Sequence, residues 1–200
     1  MEVAIIKYNA GNVQSVLFAL ERIGVNATVT DNAVQILAAD KVIFPGVGEA
    51  STAMQYLRER KLDEVIKNLK QPALGICLGM QLLCDQSEEN NTDCLGIFDT
   101  SIRRFSFTGE DANMKLKVPH IGWNKVEHTT GPLFSGITNV PYCYFVHSYY
   151  AELCKHTTAV TEHGTRFSAA LKKNNFYGVQ FHPEKSSLVG EQILKNFMNL

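Results

Sequence analysis

Through the first ninety or so residues, apolar positions alternate between two periods. VAIIKY (3–8), NATVT (26–30), KVIF (41–44) and PALGI (72–76) are short runs rich in β-branched and apolar residues and read as strands. Between the first two, Val13, Val16, Leu17 and Leu20 fall on one side of a helix over 12–23, which Gly24 closes. NAVQILAA (32–39) predicts a short helix, 49–69 a longer one broken near Lys61, and LGMQLLCDQ (78–86) the opening of another. This alternation implies parallel strands joined by right-handed helical crossovers, the α/β class.

From about Leu95 the pattern changes. SIRRFSF, GWNKVEHTT, PYCYFVHSYY, TTAVTEH, FSAALKKN and FYGVQFH read as strands, and only SLVGEQILKNFMNL (187–200) reads as a helix. The second half is therefore expected to be more antiparallel and to cover or extend one edge of the sheet. SEENNTDC (87–94) and FTGEDANMKLK (107–117) are polar and are expected to be mobile loops. No repeat or linker divides the chain, so residues 1–200 read as one domain.

Composition narrows the picture mainly by exclusion. A net charge of -1 gives no electrostatic reason to expect nucleic acid or an anionic membrane. No apolar run approaches the roughly 18 residues of a membrane span. MEVAIIKYNAG reads as a first strand rather than a signal peptide, so a cytoplasmic setting is expected. The five cysteines form no CxxC pair and sit at no zinc-site spacing, so neither metal nor cofactor is expected. Cys84, Cys143 and Cys154 read as small buried hydrophobes.

Cys77 differs from these. In Gly75-Ile76-Cys77-Leu78-Gly79 it has the G-x-nucleophile-x-G form of an elbow between a strand and a helix. Such a turn strains the nucleophile's backbone and requires small residues two positions away on each side. The following helix turn directs backbone N–H groups toward an oxyanion. A thiol nucleophile needs a base, and the base needs an orienting group. Of the six histidines, His128, His156 and His163 lie in polar or surface-strand settings and are expected in solvent. His182, in GVQFHPEKS, ends a strand with Glu184 two residues on, and residues i and i+2 of an extended segment point the same way. Cys77, His182 and Glu184 thus form a candidate triad. PGVG (45–48), between a strand and a helix, offers unobstructed backbone N–H groups for a substrate oxygen.

PGVGEA, GICLGMQLL and FHPEKS, in that order, resemble the motifs of the class I (triad) glutamine amidotransferases. YNAGNVQSV, KVPHIGWNKV and YFVHSYY narrow the resemblance to the glutaminase subunits of imidazole glycerol phosphate synthase. The resemblance spans the chain, though Lys7 stands before Tyr8 where an acidic residue is common. It implies a flavodoxin-like fold: a mixed, largely parallel central sheet flanked by helices, with antiparallel strands added in the C-terminal half. It implies that Cys77 attacks the side-chain amide of L-glutamine, with His182 moving the proton and Glu184 orienting it. Gly46, Val47, Gly48 and Leu78 would form the oxyanion site. Gln81, with the backbone of His147, Ser148 and Tyr149, would bind the amino-acid end. It further implies a heterodimer with a (β/α)8-barrel cyclase subunit, contacted through Asn12, Trp123 and Lys185, which receives the ammonia and makes imidazole glycerol phosphate and AICAR from PRFAR. A paralogous role in surface-sugar modification is the alternative.

Overall fold

In a computed structural model describing residues 1–9, 12–107 and 116–200, a seven-stranded sheet runs through the molecule. Its order is β11-β12-β13-β4-β3-β1-β2. The strands are β1 (Val3–Ile6), β2 (Ala27–Thr30), β3 (Lys41–Phe44), β4 (Ala73–Ile76), β11 (Thr157–His163), β12 (Thr165–Lys173) and β13 (Phe176–Val179). Five of them, β13, β4, β3, β1 and β2, are mutually parallel. The hairpin β11–β12 extends the β13 edge antiparallel, as the second half of the sequence predicts. All four residues of β1, β3, β4 and β13 are buried, which explains why these strands read as continuous apolar runs rather than alternating ones.

Helices cover both faces. One apolar layer joins Val16 and Leu20 of α1 (Val13–Arg22) to Ile193, Leu194 and Phe197 of α6 (Ser187–Met198). The other joins Ile36 of α2 (Ala33–Ala38) to Met54 and Leu57 of α3 (Ala50–Glu59) and Ile66 of α4 (Leu62–Lys67). The expected break between α3 and α4 falls at Lys61, whose φ of 56° is left-handed.

Two expectations change. The helix predicted to open at Leu78 ends after one buried turn, α5 (Leu78–Leu82), and the chain re-enters a strand, β5 (Cys84–Ser87). α5 is buried on every side, so its apolar run carries no one-sided helical signal. The parallel partner of β5, β7 (Phe98–Arg104), is a nonlocal pairing. SEENNTDC is not a loose loop: it holds a 3-10 turn at Glu89–Asn91 and the short strand β6 (Thr92–Asp93), with Ser87, Thr92 and Cys94 buried. β6, β5, β7 and β10 (Tyr149–Ala151) form a second sheet, and β8 (His120–Lys125) pairs with β9 (Tyr142–His147) as a separate hairpin. Of the polar segment at 107–117, residues 108–115 lie outside the described residues.

Candidate active site

Cys77 leaves the end of β4 at φ 53°, ψ −111°, a conformation that L-residues rarely adopt. The flanking glycines are required by contact. A Cβ on Gly75 would stand 2.8 Å from the Met80 backbone, and one on Gly79 would run into the carbonyl oxygen of Phe44. The Cys77 N–H donates to Val179 O at 2.8 Å, which fixes the elbow against β13. Three residues beyond that strand, His182 donates its backbone N–H to Tyr144 O at 2.9 Å, tying it to β9.

The triad candidates come together. His182 Nδ1 and Glu184 Oε1 are 2.8 Å apart, with both side chains only 2% exposed. Burial opposes a charged His182, but the Cys77 thiol and the Glu184 carboxylate outweigh it and raise the imidazole pKa to about 10. No aligned hydrogen bond joins Cys77 to His182, and Nε2 is buried without a partner among the described residues. That nitrogen is therefore free to take or return a proton.

A cleft of about 320 Å³ opens over Cys77, lined by Val47, Gly48, Leu78, Gln81, His147, Ser148 and Tyr149. Gly46 lies buried behind it, where a Cβ would strike the Tyr8 hydroxyl. That hydroxyl donates to Pro45 O at 2.6 Å, and burial followed by the nearby Cys77 keeps the phenol well above its ordinary pKa. Gly48, at φ 117°, holds a conformation suited to glycine. The Leu78 N–H, expected to face an oxyanion, here donates to Gly46 O at 3.3 Å.

Gln81 is almost fully enclosed. Its Nε2 donates to Tyr149 O at 2.8 Å and to Gln180 Oε1 at 2.9 Å. An amide nitrogen has two hydrogens, so both are engaged and only Oε1 remains for a ligand.

Glu89 and Pro119 also line this cleft and were not anticipated. The Glu89 carboxylate accepts the Ala50 N–H at 2.7 Å, and burial raises its pKa against that bond, with Glu49 adding to the rise. Its only sequence signal is an acid in a polar stretch, and reaching the cleft depends on β5 and β6 folding back over α3.

The three partner-contact candidates are at least partly exposed, and two of them share a neighbour. Trp123 is 53% exposed and meets Tyr144 edge-on at 6.2 Å, while Lys185 Nζ lies 5.7 Å from the same ring. Asn12, at the start of α1, is left-handed with φ 81° and accepts a hydrogen bond from Ser15. Two histidines expected in solvent are instead engaged. His163 stacks on His120 at 4.2 Å, and His156 contacts Asp99 with its side chain 12% exposed. Cys84, Cys94 and Cys143 are buried, and Cys143, like Cys94, has its pKa pushed up to about 12 by burial. No helix among the described residues is long and apolar enough to cross a membrane.

Comparison with known proteins gives the family and supports the fold. The glutamine amidotransferase class-I family model matches residues 4–200. Full-length relatives named imidazole glycerol phosphate synthase subunit HisH are 56% identical in Bacteroides fragilis and 53% in Bacteroides thetaiotaomicron, each covering 100% of both chains. One from Idiomarina loihiensis is 45% identical, covering 100% of this chain and 98% of its own. The crystal structure of a putative GMP synthase protein from Thermoplasma acidophilum superposes with a TM-score of 0.73 at 19% identity, covering 100% of this chain and 92% of its own. Another, of a glutamine amidotransferase, has a TM-score of 0.75 at 16% identity and covers 98% and 97%. These two support the fold alone. On the family model and the full-length relatives, the chain belongs to the class-I glutamine amidotransferases, among the HisH subunits of imidazole glycerol phosphate synthase.

Proposed function

We propose that residues 1–200 act as one amidotransferase domain that hydrolyses L-glutamine to glutamate and ammonia and passes the ammonia to a (β/α)8-barrel cyclase partner. The observation that carries this is the strained Cys77 thiol at the floor of a cleft, beside the buried His182–Glu184 pair. Cys77 Sγ attacks the side-chain amide carbon and the C–N bond breaks. His182 Nε2 delivers the proton to the leaving ammonia. Water, deprotonated by the same nitrogen, then cleaves the thioester to glutamate. Glu184 holds the imidazole tautomer and offsets the charge of the imidazolium.

Recognition of the amino-acid end follows from the donor count. Gln81 offers the ligand only an acceptor, and Glu89 brings a carboxylate to the same cleft. Together they suit the α-ammonium of glutamine, a donor-only cation, and leave its carboxylate to backbone N–H groups of the His147–Tyr149 wall.

The oxyanion site is incomplete while the Leu78 N–H points to Gly46 O. A shift of the 46–48 segment on docking would release it, so the isolated chain should turn over glutamine slowly. Trp123 and Lys185, gathered around Tyr144 on the strand that holds His182, together with Asn12, are the proposed contacts with the cyclase. The five cysteines are free, in keeping with a cytoplasmic enzyme. The full-length HisH relatives favour the histidine-pathway role over surface-sugar modification.

The test is to mix the chain with the cyclase and ask whether PRFAR stimulates glutamine hydrolysis. Stimulation is expected. High turnover by the unmixed chain, or no stimulation in the complex, would overturn the reading.

A further inference from the structure

A buried hydrogen-bonded chain runs from hairpin β8–β9 to the nucleophile. Asn124 Nδ2 lies 3.2 Å from His120 Nε2, His120 Nδ1 lies 3.0 Å from His147 Nε2, and His147 Nδ1 lies 2.7 Å from Tyr149 O. Tyr149 O also accepts from Gln81 Nε2, which donates to Gln180 Oε1, and Gln180 Nε2 stands 3.6 Å from Cys77 Sγ. His120, His147 and Gln180 are 4%, 6% and 0% exposed.

The chemistry permits one set of proton positions. A carbonyl oxygen only accepts, so His147 carries its hydrogen on Nδ1. A neutral His147 then accepts at Nε2, which puts the His120 hydrogen on Nδ1 and makes His120 Nε2 the acceptor for Asn124. The Asn124 amide cannot be reversed, because its nitrogen also donates to Glu162 O at 2.9 Å and its oxygen accepts the Lys125 N–H at 2.8 Å. Burial holds both imidazoles neutral, His120 down to about 4 and His147 to about 3. At the other end, Gln180 Oε1 is fixed by Gln81, so its nitrogen must face the sulfur.

We propose that this chain is a positioning device for glutamine hydrolysis, in which His120 and Gln180 hold the Tyr149 carbonyl, Gln81 and the Cys77 thiol in register. Neither residue lines the cleft. His120 acts through His147 on the wall that meets the amino-acid end, whereas Gln180 acts on the sulfur directly. Without the His147 bond, Tyr149 O would be free to turn and Gln81 would lose the fixed acceptor that directs its Oε1 outward. The inference deepens the functional reading above and rests on it for the substrate.

Two arms test the two ends. In the complex with the cyclase, His120→Asn places an amide nitrogen where Nδ1 lies, whereas His120→Gln places one where Nε2 lies. Losing one such bond corresponds to about a 3- to 10-fold effect, so His120→Gln should raise the glutamine KM by that factor. Its kcat and ammonia-dependent synthesis should stay unchanged, and His120→Asn should stay near wild type. Equal KM values for the two variants would overturn the proposal.

The second arm needs no substrate. Gln180→Glu keeps the acceptor for Gln81 but sets a carboxylate beside the sulfur. The pH at which iodoacetamide alkylates Cys77 at half its maximal rate should rise by about one unit or more. His182 and Tyr8, whose pKa values Cys77 raises, are not substituted in this variant. An unmoved alkylation profile would also overturn the proposal. A wild-type complex that hydrolyses no glutamine would instead refute the functional reading, and the alkylation arm would still decide the network.

Discussion

Replacing Cys77 by glycine should leave a more stable protein than replacing it by alanine, the reverse of the usual order. Both substitutions remove the sulfur from a site that is 6% exposed, so the lost burial largely cancels in the comparison. What remains is the Cβ. At φ 53°, ψ −111°, a residue with a Cβ carries about 1–3 kcal/mol of backbone strain that glycine does not. Against this stands the greater freedom of glycine in the unfolded chain, about 0.5–1 kcal/mol. The balance favours glycine by up to about 2.5 kcal/mol. With about 2–4 °C of melting temperature per kcal/mol for a chain of this size, the two variants should differ by a few degrees. Differential scanning calorimetry of both, in one buffer and at one concentration, reads this directly. Both complexes should lose glutamine-dependent synthesis and keep ammonia-dependent synthesis, which separates loss of the nucleophile from loss of the fold. If Cys77→Ala melts above Cys77→Gly, the elbow is not strained as described and the role assigned to its geometry fails.

Glu89→Gln keeps an oxygen for the Ala50 N–H but removes the charge. It should raise the glutamine KM by about tenfold or more with kcat little changed, read by steady-state kinetics of the complex. Gly79→Ala pushes a Cβ into the Phe44 carbonyl, a backbone neighbour that cannot rotate away, and should cost about 1–3 kcal/mol by chemical denaturation. An unchanged denaturation midpoint would argue against that packing. Stability should also fall on acidification. Burial lowers the folded pKa of His120 to about 4 and of His147 to about 3, whereas both titrate at about 6.5 when unfolded. Their stabilisation is therefore complete above about pH 6.5 and is lost as pH falls toward the folded values, where the unfolded chain holds more protons. His182 is shifted the opposite way, so its contribution is already complete below about pH 6.5 and is lost only as pH rises toward 10. A melting temperature unchanged between pH 7 and pH 4.5 would refute the assignment of neutral imidazoles.

The elements of the first half were legible because the strands are short and bounded by helical periodicity, with β1, β3 and β4 buried on both faces. KVIF matches its observed limits, Lys41–Phe44, and in the second half TTAVTEH matches Thr157–His163. The candidate nucleophile was legible because the elbow writes its steric demand locally: the two glycines that must lack side chains stand two residues to either side of Cys77. His182 and Glu184 were legible for the same reason, since an i, i+2 pair in extended chain needs no long-range information. What failed was local reading where the partner is distant. The run after Cys77 looked like a helix continuing to Gln86, but β5 exists only because β7 lies beside it. SEENNTDC looked like a loop because nothing in its polar composition shows Glu89 turned onto α3.

The same division runs through the site. Most residues proposed to touch substrate carry motif signals, Glu89 being the exception, whereas those that hold them in place mostly do not, because their work is done across long stretches of chain. Tyr8 reaches Pro45 across 37 positions, Gln81 reaches Tyr149 across 68, and Gln180 reaches Cys77 across 103. Each of those contacts is polar and enclosed, so a change in one partner leaves a buried donor or acceptor unmatched in the other. His163 shows how misleading the local setting can be: it lies at a strand end among Thr, Glu and Gly, yet its ring stacks on His120 and its Nε2 sits 2.9 Å from Lys117 O. A histidine in a polar stretch says little about solvent until the sheet that covers it is known. Here β8 and β11 meet at that ring, where Asn124 Nδ2 also donates to Glu162 O.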